Sequence, residues 1–130
     1  MPDTKFDVLT IGNAIVDVIS RVDDAFVIAN GLVKGSMNLI DEERAESLYA
    51  SMGPSQEISG GSAGNTAAGV ASFGGKAAYF GKVKEDQLGA IFRHDMRAQG
   101  VAFDSQAATQ GPATARSFIL VTPEGERTMN

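Results

Sequence analysis

Residues 56–101 read QEISGGSAGNTAAGVASFGGKAAYFGKVKEDQLGAIFRHDMRAQGV, and the fold turns on them. Residues 56–59 have strand character. Residues 63–73 form a helix of small side chains, stopped by Gly74-Gly75, and residues 76–83 return to strand. Asp86 is a helix N-cap. Beyond it Leu88, Ile91, Phe92 and Met96 fall on one helical face, and Gly100 stands where a helix takes its left-handed C′ residue. Strand–helix–strand–helix alternation predicts a βαβ unit, hence a parallel sheet with helices packed on it. Residues 101–105 add a candidate edge strand.

Working outward, residues 6–12 (FDVLTIG) read as a further buried strand of that sheet. Residues 15–22, 36–40, 115–122 and 127–130 have hairpin character, with residues 123–126 (PEGE) as a turn, and predict a separate small sheet. Asp23-Asp24 cap a short helix over 25–30, closed by Gly31. Asp41 caps a second helix with Glu42 and Glu43 in its positive first turn; its apolar face is Ala45, Leu48, Tyr49 and Met52. The sequence stops at Asn130 inside a return strand. That leads to the expectation that these residues belong to a longer domain.

The 130 residues fit one domain on length, and 43% apolar with 21% charged residues is an ordinary globular composition. Eleven basic against sixteen acidic residues leave a net charge of −5. That argues against nucleic acid as a partner, since phosphate binding needs a basic face. With no Cys, disulfides, thiolate catalysis and Cys-ligated zinc are excluded. No signal-peptide pattern opens the sequence, and no apolar run approaches the ~18–20 residues that cross a bilayer. A soluble, cytoplasmic protein without a membrane partner is expected.

Seven of the 15 glycines lie between Gly60 and Gly81. Glycine carries a backbone entropy cost, so the cluster calls for tight turns or a ligand cradle. Gly60-Gly61-Ser62-Ala63-Gly64-Asn65 opens the small-residue helix, whose N-terminal N–H groups suit hydroxyl or phosphate oxygens. A plain turn ahead of a tightly packed helix reads the same residues equally well. The loop is neither a Walker loop nor a Rossmann fingerprint. A second signal is Gly12-Asn13-Ala14-Ile15-Val16-Asp17, a carboxylate inside an apolar strand. Burying it unpaired is costly, so it calls for ligand hydroxyls, or for a salt bridge to Arg21 or exposure at a sheet edge. His94, the one histidine, reads as a surface residue. Lys82 and Lys84, beside Glu85 and Asp86, read as a solvated loop, and the five methionines as packing.

Taken together, Gly12-Asn13 with Asp17, the run Gly60–Asn65, and Phe73-Gly74-Gly75, Phe80-Gly81-Lys82-Val83, Asp86 and Gly89 resemble the N-terminal part of the ribokinase-like (PfkB) carbohydrate and nucleoside kinases. The adenosine kinase and sugar kinase branch is the most similar. The resemblance covers essentially all 130 residues. It implies an α/β fold: a parallel-sheet core around residues 6–12 and 56–105, plus a small β-sheet lid from strands around 15–22, 36–40 and 115–130. It implies ATP-dependent phosphorylation of a sugar or nucleoside hydroxyl, with Mg²⁺ assisting. Asp17 would accept hydrogen bonds from the substrate's hydroxyls. Asn13 and Asn65 would bind the same sugar edge, and Gly60 and Gly61 would let it approach the backbone. Met37, Leu39 and Met129 would supply apolar lid contacts, and Arg127 would lie near the transferred phosphate.

The family's second signature, a Gly-Ala-Gly-Asp run with the anion hole and catalytic base, does not occur in this sequence. No catalytic residue and no metal ligand is therefore assigned here. The expectation is a substrate-binding half with its lid, inactive by itself, the ATP half lying elsewhere, with pairing of two copies through the lid as a further option. The alternatives are a complete non-catalytic sugar- or nucleoside-binding or lid-dimerisation module, and a different nucleotide-binding α/β protein that uses Gly60–Asn65 as a phosphate loop.

Overall fold

Val8–Ile11 (β1) runs parallel to Ala77–Phe80 (β4), with Val8 opposite Ala77 and Ile11 opposite Phe80. The computed structural model describes residues 3–130. Within them, β1 and β4 belong to a unit built from Val16 and the residues before it together with Ile58–Arg116. Ser62–Ser72 (α3) packs on both strands. Its small residues permit the close approach: Ala67 is fully buried, and Gly64 lies against Phe92 and Met96. Gln87–Ala98 (α4) supplies those two side chains. Tyr79, Phe92 and Phe103 form the aromatic centre of this core, with ring centroids 5.3–5.5 Å apart in tilted and edge-on pairs, a geometry ring quadrupoles favour.

Buried β-strands of a parallel sheet are ordinarily covered on both faces. Here Leu9, Ile11 and Phe80 remain 61%, 70% and 61% exposed, while Thr10 is buried, its hydroxyl donating to the Ala78 carbonyl. The expected strand over 101–105 is one parallel bridge, Ala78 to Ala102. Val101 and Phe103 both turn into the core, and Arg93 and Arg97 take the Phe103 carbonyl at 3.4 and 3.2 Å, drawing it away from the ladder. The expected strand over 76–83 is shortened to β4, which ends at Phe80, just before Gly81.

The second unit comprises Asp17–Glu57 and Ser117–Asn130. Ile15–Arg21 (β2), Gln56–Gly60 (β3), Ala115–Val121 (β5) and Arg127–Met129 (β6) form one four-stranded sheet in the order β3-β2-β5-β6. This corrects the placement of residues 56–59 in the parallel sheet: β3 pairs with β2 at the edge of the smaller sheet. A strand followed by a helix looks the same in sequence whichever sheet takes the strand. The segment 36–40 is likewise a single bridge, Met37 to Met129. Only Ser36 and Asn38 exchange backbone bonds with Met129, because β6 is three residues long.

One face of this sheet is packed. Val18 and Phe118 meet Ala45 and Leu48 of Glu42–Ser51 (α2), and Tyr49 stacks on Phe118 at 6.0 Å. Asp23 caps Asp24–Ala29 (α1) by accepting from the Phe26 N–H at 2.8 Å, and Asp41 caps α2 through the Arg44 N–H at 2.8 Å. Lys34 pairs with Asp24 at 2.6 Å and with Glu124 in the β5–β6 turn.

Candidate functional site: two glycine turns and an unpaired carboxylate

The Gly12-Asn13 turn begins where β1 ends. The Gly12 N–H donates to the Phe80 carbonyl at 3.2 Å, the last rung of that ladder. A Cβ on Gly12 would stand 2.6 Å from the Ala63 Cβ, so only glycine lets the turn lie this close to α3. The second turn is as tight. Gly61 is the N-cap of α3 with φ +83°, a left-handed backbone that favours glycine. A Cβ there would lie 3.1 Å from the Asn13 carbonyl oxygen. The two turns are therefore in close backbone contact at Gly61 and Asn13, and Asn65 follows in the first turn of α3, its N–H donating to the Gly61 carbonyl at 2.9 Å.

No side chain caps α3, so the N–H groups of its first turn have no side-chain acceptor. Asn13 and Asn65 are exposed, and among the described residues neither side chain makes a hydrogen bond. The arrangement offers two free carboxamides, each a donor and an acceptor, beside a helix N-terminus with its partial positive charge.

A cavity of about 280 Å³ adjoins the first turn, lined by Asn13, Ile15, the 82–84 segment and the 112–115 segment. Sequence reasoning missed this wall by reading Lys82 to Lys84 as a solvated loop; Val83 between them is buried. Asp86 holds it together. One carboxylate oxygen accepts from the Gly89 N–H (2.8 Å) and the Thr114 hydroxyl (2.7 Å), the other from the Thr114 N–H (2.9 Å). The Thr114 hydroxyl in turn accepts from the Lys84 N–H at 2.9 Å. Burial raises the Asp86 pKa, but the bonds from Thr114 and Gly89 outweigh it and hold the carboxyl below its ordinary value. A Cβ on Gly89 would sit 2.1 Å from the Lys84 carbonyl oxygen, so the Asp86–Gly89 spacing is sterically required.

In the second unit the strand alternation places Val18 and Ser20 on the packed side and Asp17, Ile19 and Arg21 on the opposite side. The β5–β6 register, Ile119 to Met129 and Val121 to Arg127, puts Met129 and Arg127 on that same side, opposite Phe118. Asp17 is half-buried, and burial pushes its carboxyl above the ordinary value. Among the described residues its side chain makes no hydrogen bond and no ion pair, so the salt bridge to Arg21 does not form. Met37 lies beside Met129 and is 68% exposed; Leu39 is 94% exposed. Arg127 is exposed and makes no ion pair among the described residues. His94 is on the surface, as read from the sequence.

No described helix is long and apolar enough to cross a membrane. The described residues contain no group of three or more His, Asp or Glu that could hold a metal ion.

The chain aligns to solved structures of an adenosine kinase from Sinorhizobium meliloti and a probable sugar kinase from Rhizobium etli CFN 42. Identities are 66% and 65%, with a TM-score of 0.88 for each. Each alignment covers 98% of this chain and 39% of that one. Probable fructokinase-6, chloroplastic, of Arabidopsis thaliana is 38% identical over 68 residues, which are 52% of this chain and 18% of that protein. The chain thus spans about two fifths of those solved relatives and under a fifth of that fructokinase. Adenosine kinase from Anopheles gambiae, 20% identical, shares the fold with a TM-score of 0.79. The fold is ribokinase-like, and the model of the pfkB family carbohydrate kinases matches residues 6–130. The chain belongs to the pfkB family of carbohydrate kinases.

Proposed function

We propose that the protein containing these residues transfers the γ-phosphoryl group of ATP to a hydroxyl of a nucleoside or sugar, and that this chain holds the hydroxyl-bearing substrate. The observation that carries the reading is Asp17. A half-buried carboxylate with a raised pKa and no partner is costly in the free protein, and substrate hydroxyls donating to it are the compensation. The carboxamides of Asn13 and Asn65 bind the same polyol edge, the Gly60-Gly61 backbone admits it closely, and Met37, Leu39 and Met129 give apolar cover to a base or sugar ring. Arg127, without an ion pair among the described residues and on the Asp17 side of its sheet, is available to a phosphoryl oxygen. Phosphoryl transfer is chiefly positioning plus charge stabilisation, and these residues do the positioning. Asp17 orients the substrate and moves no proton.

The ATP and Mg²⁺ sites and the catalytic base are assigned to residues outside this chain, which is inactive alone. The greater length of the solved relatives supports that division. A cytoplasmic location is part of the same reading. Two copies pairing through the smaller sheet is a reading that sedimentation of the full-length protein tests. The functional test is a phosphorylation assay of the full-length protein with adenosine, ribose and fructose, each with Mg²⁺–ATP. Stoichiometric ADP formation with one of them is expected. ATP turnover that ignores all three hydroxyl compounds refutes the reading.

A further inference from the structure

Behind the Gly12-Asn13 turn stands a buried side chain, Tyr79. Tyr79 is 3% exposed, its ring packed against Phe92 and Phe103. Its hydroxyl donates to the Gly12 carbonyl at 2.8 Å. That carbonyl lies just past the last rung of the β1–β4 ladder, where the chain leaves the strand, and among the described residues no backbone N–H donates to it. The surroundings are built round this bond. A Cβ on Gly81 would stand 2.6 Å from the Tyr79 hydroxyl and 2.7 Å from the Gly12 carbonyl oxygen, and one on Gly12 would strike Ala63. Two glycines thus leave just enough room for a tyrosine to hold the peptide that carries Asn13. A phenol is protonated at neutral pH and so donates, and burial pushes its pKa further up.

We infer that Tyr79 is a positioning residue: its hydroxyl fixes the Gly12-Asn13 peptide and thereby sets the Asn13 carboxamide for substrate binding. This rests on the function proposed above. The bond constrains a peptide that binds substrate and takes no part in the transfer, so its loss weakens binding and leaves turnover intact.

The test is Tyr79→Phe in the full-length protein, which keeps the packed ring and removes one oxygen. Losing one neutral hydrogen bond predicts an increase in nucleoside or sugar KM of about three- to tenfold. kcat and the KM for ATP should stay within about twofold. Amide exchange at Gly12, whose N–H closes the ladder, should quicken whether or not any substrate is known. Faster exchange together with the selective rise in KM supports the inference. Unchanged exchange overturns the clamp. Faster exchange, or a lower Tm, with unchanged KM overturns the positioning role and leaves a packing role only. A wild-type protein that phosphorylates none of the hydroxyl compounds refutes the proposed function and the positioning role with it, while the exchange result still decides whether the clamp exists.

Discussion

Asp17→Asn separates two effects of one carboxylate. In the free protein the group is half-buried, unpartnered and above its ordinary pKa of 3.8. A carboxyl whose folded pKa is raised binds its proton more tightly when folded. It therefore favours the folded state below the unfolded value, and that advantage is lost as pH rises through the raised folded value. At neutral pH the charge destabilises the free fold, and the amide, of the same shape and uncharged, relieves this. With substrate bound the sign reverses, because hydroxyls donating to a carboxylate make charge-assisted bonds. Losing one such bond costs about 1.5–3 kcal/mol, or about ten- to a hundredfold in affinity. The expected outcome for the full-length variant is a Tm equal to or above wild type at pH 7, an excess that shrinks as pH falls through the raised folded value and is gone below the ordinary 3.8, and a KM for the hydroxyl substrate raised by that factor. The KM for ATP should not move. Thermal melts across pH and steady-state kinetics against both substrates measure all of this. A lower Tm at pH 7 would show that Asp17 has a stabilising partner. A collapse of kcat at saturating substrate with KM unchanged would show that Asp17 takes part in the chemistry.

The glycines give a paired test. Gly12→Ala, whose Cβ would meet Ala63 at 2.6 Å, should destabilise by about 1–3 kcal/mol. Gly69→Ala, inside α3 with nothing within 4 Å, should stabilise by about 0.5–1 kcal/mol in denaturant melts; equal effects would refute the packing described. Asp86→Ala should cost about 0.5–2 kcal/mol as a lost N-cap. Since the folded pKa of Asp86 is lowered, its contribution is present above the ordinary value near 3.8 and fades as pH falls below it; a wild-type-minus-variant difference that grows in acid would contradict this. The 130-residue chain alone should self-associate through the uncovered Leu9, Ile11 and Phe80 face, and a monodisperse, cooperatively melting monomer in sedimentation and calorimetry would exclude that.

The site was legible in the sequence where a residue type is out of place for its element. Asp17 is a charge in an apolar strand, and Gly60-Gly61 are two flexible residues at a helix start. Both carry their signal locally. The helices were legible for a related reason: Asp23, Asp41 and Asp86 each cap the turn they precede. What stayed hidden depends on partners distant in the chain. The sheet that takes β3 is decided by its pairing with β2, some forty residues earlier. The 36–40 and 101–105 segments have strand-like composition, but they meet their neighbours at only one bridge each. Tyr79 reads as one more core aromatic, because nothing in KAAYFG says that its hydroxyl meets a carbonyl sixty-seven residues away. The one available hint was Gly81, a glycine directly after a buried strand. Thr114 gave no signal at all, since its part in holding the Lys82–Lys84 wall exists only through Asp86.

The central claim is that Asp17, with Asn13 and Asn65, receives the hydroxyls of a nucleoside or sugar. A crystal structure of the full-length protein bound to the hydroxyl compound it phosphorylates tests this most directly. The account predicts a substrate hydroxyl within about 2.5–3.0 Å of an Asp17 carboxylate oxygen, the normal range for such a bond, with the Asn13 or Asn65 carboxamide on the same polyol edge and the ligand against the Gly60-Gly61 backbone. A bound substrate that leaves Asp17 without a hydroxyl partner would contradict it.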